Sequence, residues 1–571
     1  MSKILRIIFQ PIREQKVLFT FLMLMSCVVI PVMCYATMAF PKPFVFAPPI
    51  FDCYLLTLLA YWLKRIRLSW LVWIAGFLLL GGEVFSILCY QSPYSMTVLQ
   101  LVLETHTSEA TEFLKGHGVA GQFALATAIT LGTIFLAWII SKFSSHSKLF
   151  TYLSAFLLFV SLLCQSYSYF RLYQAFTADV TTTISENKYM PLRNSPFIRF
   201  LYGYALNVVS TKELRALVHT VRATEVDSCS YRSPNIILLI GESYNKYHSP
   251  LYNPEARQTT PNLCRMQQEG NLIAYDDVVS PYNVTNKTFR HMFSTYYRGC
   301  GREWVDCTLF PAVFRKAGYR VWFITNHFSG VENNKQHHGH AGGTIFNQKD
   351  LRHLQFTHMN DESTHYDMDL LSQLPSADTL VAQPSLLIFH LMGQHEDYRE
   401  RYPAEYDHFT ADSIKNDFTD RAGRQVVAEY DNATLYNDAV VGKLLSQYAG
   451  EDVVAIYLSD HGEEVYDWRN SCYRTNSDYM TPEIAKYQYE VPFLFYVSDS
   501  FKANHPDLLA EIEAAQHKPF IATLLPFALF HLAGIEHADY KSTLDVLSPD
   551  YDEHFPRIIR EDIDYDELMK K

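Results

Sequence analysis

The chain has 571 residues, of which 49% are apolar, 15% aromatic and 19% charged, a balance that excludes a disordered or collagen-like polymer. Sixty acidic residues against 48 basic give a net charge of −12, so the basic footprint that holds nucleic acid is missing and no nucleic-acid partner is expected. The mean hydropathy of −0.05 averages two unlike parts, an apolar stretch over about the first 170 residues and a remainder that reads like a soluble domain.

Between Lys16 and Lys42 lie 25 residues without a formal charge, and about 20 suffice to cross the hydrocarbon of a bilayer. The apolar runs predict five transmembrane helices, at about 17–38, 45–63, 68–90, 119–141 and 149–170. Lys3, Arg6, Arg13 and Lys16 precede the first, Lys64, Arg65 and Arg67 follow the second, and Lys142 and Lys148 separate the fourth from the fifth. Basic loops stay in the cytoplasm, so the N-terminus is expected inside and everything after Phe170 outside, in the periplasm of a Gram-negative cell. Asp52 and Glu83 fall within the second and third spans at a shared depth of roughly 10 Å from the outer face. They read either as an attraction for a cationic head group or as helix-to-helix hydrogen bonds of a protonated acid.

Residues 171–232 form an expected interfacial arm, with Phe197, Phe200, Leu201, Tyr202 and Tyr204 around Arg199; a plain spacer helix is the other reading. Residues 233–571 then switch to short apolar runs divided by helical stretches, the pattern of an α/β domain with a largely parallel sheet. Buried strands are predicted at Asn235 to Ile240, Arg320 to Ile324, Ser385 to His390 and Val453 to Leu458. In open α/β sheets chemistry gathers beyond the carboxyl ends of strands. Of the cysteines outside the spans, Cys300 and Cys307 are the expected local pair among Cys229, Cys264, Cys300, Cys307 and Cys472.

Gly241, Glu242 and Ser243 follow the first of these strands, and Ser459, Asp460, His461 and Gly462 follow the last. Two carboxylates and an imidazole at two strand ends suit Zn²⁺ with an open coordination position. Between them, residues 280–294 read SPYNVTNKTFRHMFS, with Thr285 expected at or near the start of a helix running through Phe293. A hydroxyl there lies where free N–H groups and the helix dipole favour phosphate, so metal coordination would make it a nucleophile. Thr285 also reads as a simple N-cap, and Thr288, Ser280 and Ser294 compete with it. His337, His338 and His340 read as a solvated loop, and no Walker loop, HExxH or GxSxG motif occurs.

As a set these segments resemble the phosphoethanolamine transferases of the alkaline phosphatase superfamily. The resemblance rests on GESYNKYHSPLYNPEARQTTPNL, on Thr285 ahead of Met292 to Ser294, on HLMGQHEDYRERYP, YDNATLYNDAVV, SDHGEEVYD and VPFLFYVS. It implies an inner-membrane enzyme with five spans and a periplasmic sulfatase-like domain, whose lipid A members confer polymyxin resistance. It also implies a zinc site of Glu242, Thr285, Asp460 and His461, with Thr285 the nucleophile that carries phosphoethanolamine. His395 is implied near the transferred phosphoryl group or a second metal, and Thr105 and Glu109 in LETHTSEA as lipid-binding positions. One zinc is expected and a second is possible on this reading, with phosphatidylethanolamine as donor, lipopolysaccharide or another glycolipid as acceptor, and a monomer.

The chain departs from the family in having Pro281 and His291 where cysteines flank the nucleophile helix, no histidine between Glu463 and Val491, and Leu101 for the usual Asn. MGQH and SDHGEEVYD look closer to the branch acting on core sugars or other glycans. The alternatives are a phosphoglycerol transferase of the lipoteichoic acid synthase type and a non-catalytic envelope scaffold. The latter need not retain Glu242, Asp460 and His461 together.

Overall fold

The computed structural model describes residues 3–38, 49–90, 93–94, 98–99, 119–143, 148–177, 195–327, 345–346, 348–360, 364–475, 480–560 and 562–570. Thr105, Glu109 and the His337 to His340 cluster lie outside them. The chain divides into two compact units, one of Met1–Glu213 and one of Leu214–Arg474 with Met480–Lys571. The division falls inside the helix Pro196–Ala223, within the segment expected to be an arm.

In the first unit four described helices are long and apolar enough to cross a membrane: Lys16–Cys34, Trp70–Cys89, Val119–Ile140 and Thr151–Thr177. The expected second span appears as Ile50–Leu63, and 14 described residues reach only about 21 Å. Four helices among the described residues therefore meet that length, and the expected second span is described over Ile50–Leu63 alone. Phe123, Phe135, Phe156 and Leu78 stand exposed, as side chains facing hydrocarbon do. The first long helix widens into a π turn over Met25–Val29 just before Pro31, whose ring cannot sit against the carbonyl four residues back in a regular helix.

Both acids in the spans find protein partners. Glu83, fully buried, receives Arg199 Nε at 2.7 Å and Nη2 at 2.6 Å, and accepts the Tyr94 N–H at 3.0 Å. Asp52 accepts the Tyr169 hydroxyl and the Ser195 N–H at 3.3 Å. Asp52 is thus hydrogen-bonded inside the protein, whereas Glu83 is bonded inside it in an ion pair rather than as the protonated acid expected. Arg199, expected at a membrane surface, is 2% exposed in the Glu83 ion pair.

Among the described residues the second unit is built on a seven-stranded sheet. Its strands in chain order are β1 Asn235–Gly241, β2 Leu272–Tyr275, β3 Arg320–Thr325, β4 His358–Met359, β5 Ser385–His390, β6 Val454–Ser459 and β7 Phe493–Val497. They lie in the order β2-β7-β6-β1-β5-β3-β4, parallel from β6 to β4. At the other edge β7 runs antiparallel to both β6 and β2. All four predicted strands form within a residue of their expected bounds. Covered on both faces, β1, β5 and β6 are unbroken apolar runs rather than alternating ones.

The register fixes which side chains share a face. Ile237 pairs with Leu387 and Ala455, and Leu239 with Phe389 and Tyr457. That face packs on Val427, Tyr430, Ala433, Tyr436, Val440 and Leu444 of the long helix Arg421–Gln447. Side chains at i, i+3 and i+4 make one apolar stripe of such a helix, and Asp420 caps its start by accepting the Gly423 N–H. This packing holds the carboxyl ends of β1, β5 and β6 side by side. The cysteines are free thiols; Cys300 and Cys307 are neighbours without the expected bond, Cys300 donating instead to the Arg302 carbonyl at 3.4 Å.

Candidate active site

Glu242 leaves the end of β1, and Asp460 and His461 leave the end of adjacent β6, where Gly241 pairs with Ser459. The chain turns sharply after Glu242, placing Ser243 in the left-handed region at φ +56°, strained backbone that its bonds hold in place. The Ser243 N–H donates to Asp460 Oδ1 at 3.1 Å, its hydroxyl to Glu242 Oε1 at 2.7 Å, and Tyr430 donates to its carbonyl at 2.6 Å. The loop after β5 passes equally close. A Cβ on Gly393 would stand 3.1 Å from the Glu242 backbone, and Gly393 itself adopts φ +49°. Asp367 pins that loop, accepting the Met392 and Gly393 N–H groups at 2.9 Å and Asn326 Nδ2 at 2.9 Å.

Thr285 opens the helix Thr285–Met292, and extended Val284 occupies the N-cap position. The Thr285 hydroxyl makes no cap bond; it donates to Glu242 Oε2 at 3.1 Å and lies 3.3 Å from His461 Nε2. Its three competitors are committed elsewhere. Ser280 donates to the Tyr282 carbonyl at 2.7 Å, Thr288 to the same carbonyl at 3.0 Å, and Ser294 Oγ accepts the Tyr296 N–H at 3.1 Å.

His461 Nδ1 donates to the Gly462 carbonyl at 2.9 Å, which directs the Nε2 lone pair inward. Nε2 then lies 3.1 Å from Asp460 Oδ2 and 3.3 Å from Glu242 Oε1. Ligand atoms of Glu242, Asp460 and His461 fall within 4.8 Å of one another, all buried. Asp460 Oδ2 is buried and receives no hydrogen bond from the described residues. Burial works against the charge on Glu242, but His461 and, more weakly, His395 and His327 hold its carboxyl well below the usual range. Asp460, buried and facing Glu242, is pushed well above it. Two crowded carboxylates, an orphaned oxygen and an aimed imidazole are the donor set of a small divalent cation, and the hard-and-borderline mixture fits Zn²⁺.

A second group, Glu242, His327 and His390, also lies within 4.8 Å. Its two rings, however, are stacked 4.1 Å apart and 8° from parallel. Ring-nitrogen lone pairs lie in the ring planes, so these two run side by side instead of converging on one ion. His327 Nε2 donates to the Leu391 carbonyl at 2.7 Å, and His390 Nδ1 lies 3.0 Å from Thr325 Oγ1. His395, half-buried in the loop after β5, presents its ring edge-on to His327 at 5.8 Å. Burial, only partly offset by Glu242, keeps it neutral.

The structure thus brings Glu242, Thr285, Asp460 and His461 together, with His395 beside them. The sequence reading passed over His327 and His390, although the strand-end rule that found Glu242 points to both. It also passed over Arg474, whose Nη1 lies 2.6 Å from His461 Nε2 across 13 residues of chain, a placement with no local signature.

A largely parallel α/β sheet whose strand ends gather carboxylates and an imidazole able to hold a cation around a threonine hydroxyl is the alkaline-phosphatase-like fold. The sulfatase family matches residues 234–530, and the chain belongs to that family. Phosphoethanolamine transferase EptC of Escherichia coli is 26% identical over 479 residues, covering 81% of this chain and 79% of that one. The Kdo(2)-lipid A phosphoethanolamine 7''-transferase of Salmonella typhimurium is 24% identical over 298 residues, 49% of this chain and 47% of that one. The structure of the integral membrane lipooligosaccharide phosphoethanolamine transferase A of Neisseria meningitidis shares the fold, with a TM-score of 0.59 at 18% identity over 93% of this chain and 97% of that one.

Proposed function

We propose that this protein transfers phosphoethanolamine from phosphatidylethanolamine to an envelope glycolipid, through a covalent intermediate on Thr285. The observation that carries the proposal is the Thr285 hydroxyl, which bonds Glu242 and faces His461 instead of capping its helix. The phosphoethanolamine transferases among its relatives support the choice of group. Glu242, Asp460, His461 and Thr285 would hold one Zn²⁺, which lowers the hydroxyl pKa and offsets charge on the phosphoryl oxygens.

Thr285 Oγ forms the new bond to phosphorus as the bond to diacylglycerol breaks, and diacylglycerol leaves with the proton Thr285 gave up. A hydroxyl or phosphate oxygen of the acceptor then attacks the same phosphorus, and Thr285 recovers a proton as its ester breaks. His395, neutral and beside the cluster, serves the leaving or the attacking oxygen. In this reading residues 1–170 cross the inner membrane five times from a cytoplasmic N-terminus, 171–232 connect, and 233–571 work in the periplasm as a monomer. Anchoring keeps enzyme, donor and acceptor in one plane, and Thr105 and Glu109 are assigned to the lipid substrate.

Peptide mass spectrometry after incubation with head-group-labelled phosphatidylethanolamine and no acceptor tests this. Label on the Thr285 peptide, absent from Thr285→Ala, is expected. Label from phosphatidylglycerol alone would reassign the chain to the phosphoglycerol transferases.

A further inference from the structure

Arg474 reaches the centre from the far end of a hairpin that begins at the catalytic strand. After His461 the chain folds back through a bridge of Val465 with Cys472, and the Tyr473 N–H donates to the Glu464 carbonyl at 2.7 Å. Glu464, fully buried, is gripped by Arg469 at 2.6 and 2.8 Å and by Gln488 at 3.1 Å. The turn is therefore clamped, and Arg474 returns to the site in a fixed place. Its Nε pairs with Glu463 at 3.2 Å and Nη1 lies 3.4 Å from the Asn283 carbonyl, two residues before Thr285. With 21% of its side chain exposed, it stands on the open side of an otherwise buried cluster.

The contact of Nη1 with His461 Nε2 at 2.6 Å is what gives this placement a function. Guanidinium donates only, and a neutral imidazole has one lone pair. The lone pair that accepts from Arg474 is the one His461 would offer to a cation, so the two uses exclude each other. Once Nε2 is taken, Arg474 remains held by Glu463 and by the Asn283 carbonyl, and the Nη1 hydrogen released from His461 is left at the cluster that contains Thr285. Its nearest new acceptors are the non-bridging oxygens of the group that Thr285 attacks, whose charge builds as the new bond forms.

We propose that Arg474 is a further catalytic residue, a guanidinium that binds the non-bridging phosphoryl oxygens during attack by Thr285. The inference rests on Thr285 being the nucleophile. The competing role is a plain counter-ion for buried Glu463, which would matter to stability and not to the phosphoryl group.

The test uses the full-length protein in detergent, with Arg474→Ala and Arg474→Lys beside wild type. Zinc per chain is expected to stay at the wild-type value in both. The rate at which Thr285 is labelled by phosphatidylethanolamine should fall about 10²- to 10³-fold in Arg474→Ala. Inorganic phosphate should bind about 10- to 100-fold more weakly. Added guanidinium should restore part of the Arg474→Ala rate and none in Thr285→Ala. A labelling rate and phosphate affinity within twofold of wild type would overturn the proposal, as would a loss that guanidinium leaves unrescued while zinc and melting temperature fall. If Arg474→Ala does not fold, Arg474→Lys keeps the charge opposite Glu463 without the forked donors. A drop of about tenfold there supports the proposal and an unchanged rate sinks it. Wild type that takes no label would overturn the threonine reading, and the phosphate measurement would still decide for or against Arg474.

Discussion

The two units bury carboxylates in opposite ways. In the helical unit Glu83 is enclosed with Arg199 in a forked pair at 2.6 and 2.7 Å, so charge meets charge within the protein. In the α/β unit Glu242 and Asp460 are enclosed against each other, one held charged and the other forced toward its neutral form, with Asp460 Oδ2 left without a donor. Burial of an ion is tolerated only when something neutralises it. The first arrangement is complete as it stands. The second leaves one carboxylate forced toward its neutral form and Asp460 Oδ2 without a donor among the described residues, and in the proposed function a cation completes it.

The comparison breaks most visibly at Asp460. Asp460→Asn removes one ligand charge while keeping the N–H acceptor geometry at Oδ1, so bound zinc should be lost and Thr285 labelling should fall more than about 10³-fold. Metal analysis and labelling of one preparation measure both, and zinc retained with full activity would make the cluster a structural pair like Glu83 with Arg199. In the helical unit the expected effect is on stability. Arg199→Ala strands a buried Glu83 and should cost about 3–5 kcal/mol, whereas the double variant Glu83→Gln with Arg199→Met should recover most of it. Denaturation in detergent distinguishes these. An Arg199→Ala protein as stable as wild type would mean that Glu83 has another partner or takes up a proton at little cost.

How far each region was legible follows from the same contrast. Glu242, Asp460 and His461 were readable because each stands directly after an apolar run that can only be a buried strand, and strand ends are where α/β folds put chemistry. Thr285 was readable only in part: its position at a helix start showed, but the choice between cap and nucleophile depends on where the hydroxyl points. Arg199 was read as an interface residue because nothing local announces a partner 116 residues away, and Arg474 was missed because a clamped hairpin, not a motif, delivers it. The strands β2 and β7 were not assigned, being an antiparallel edge outside the repeating parallel pattern. Asp367 was equally silent, 25 and 26 residues from the N–H groups it holds. Asp367→Ala should leave those two donors unpaired, cost about 2–3 kcal/mol, and lower labelling by loosening the loop that carries His395. An unchanged melting temperature would show that the loop holds itself.

His248 sharpens the comparison at its mildest point, because here the α/β unit neutralises buried acids from within, as the helical unit does. Its Nδ1 meets Asp431 at 2.6 Å and its Nε2 meets Asp467 at 3.1 Å, while Arg257 also pairs with Asp431. The three residues come from the segments after β1, within the long helix and after β6, so one imidazolium ties together the stretches that frame the site. Burial alone would lower the histidine pKa, but the two carboxylates outweigh it and raise it from 6.5 to about 9. Below pH 6.5 folded and unfolded chains both carry this proton, and the contribution to stability is full. Between 6.5 and about 9 only the folded chain keeps it, so stability drains away with rising pH and the contribution is gone above 9. The loss across that window should be about 3 kcal/mol, and it should be missing from His248→Gln. Other groups titrate in the same range, so the measurement is the difference between wild type and His248→Gln in denaturation midpoint at pH 6, 7.5 and 9.5. Parallel curves for the two proteins would mean that His248 stays neutral, and that Arg257 alone balances Asp431.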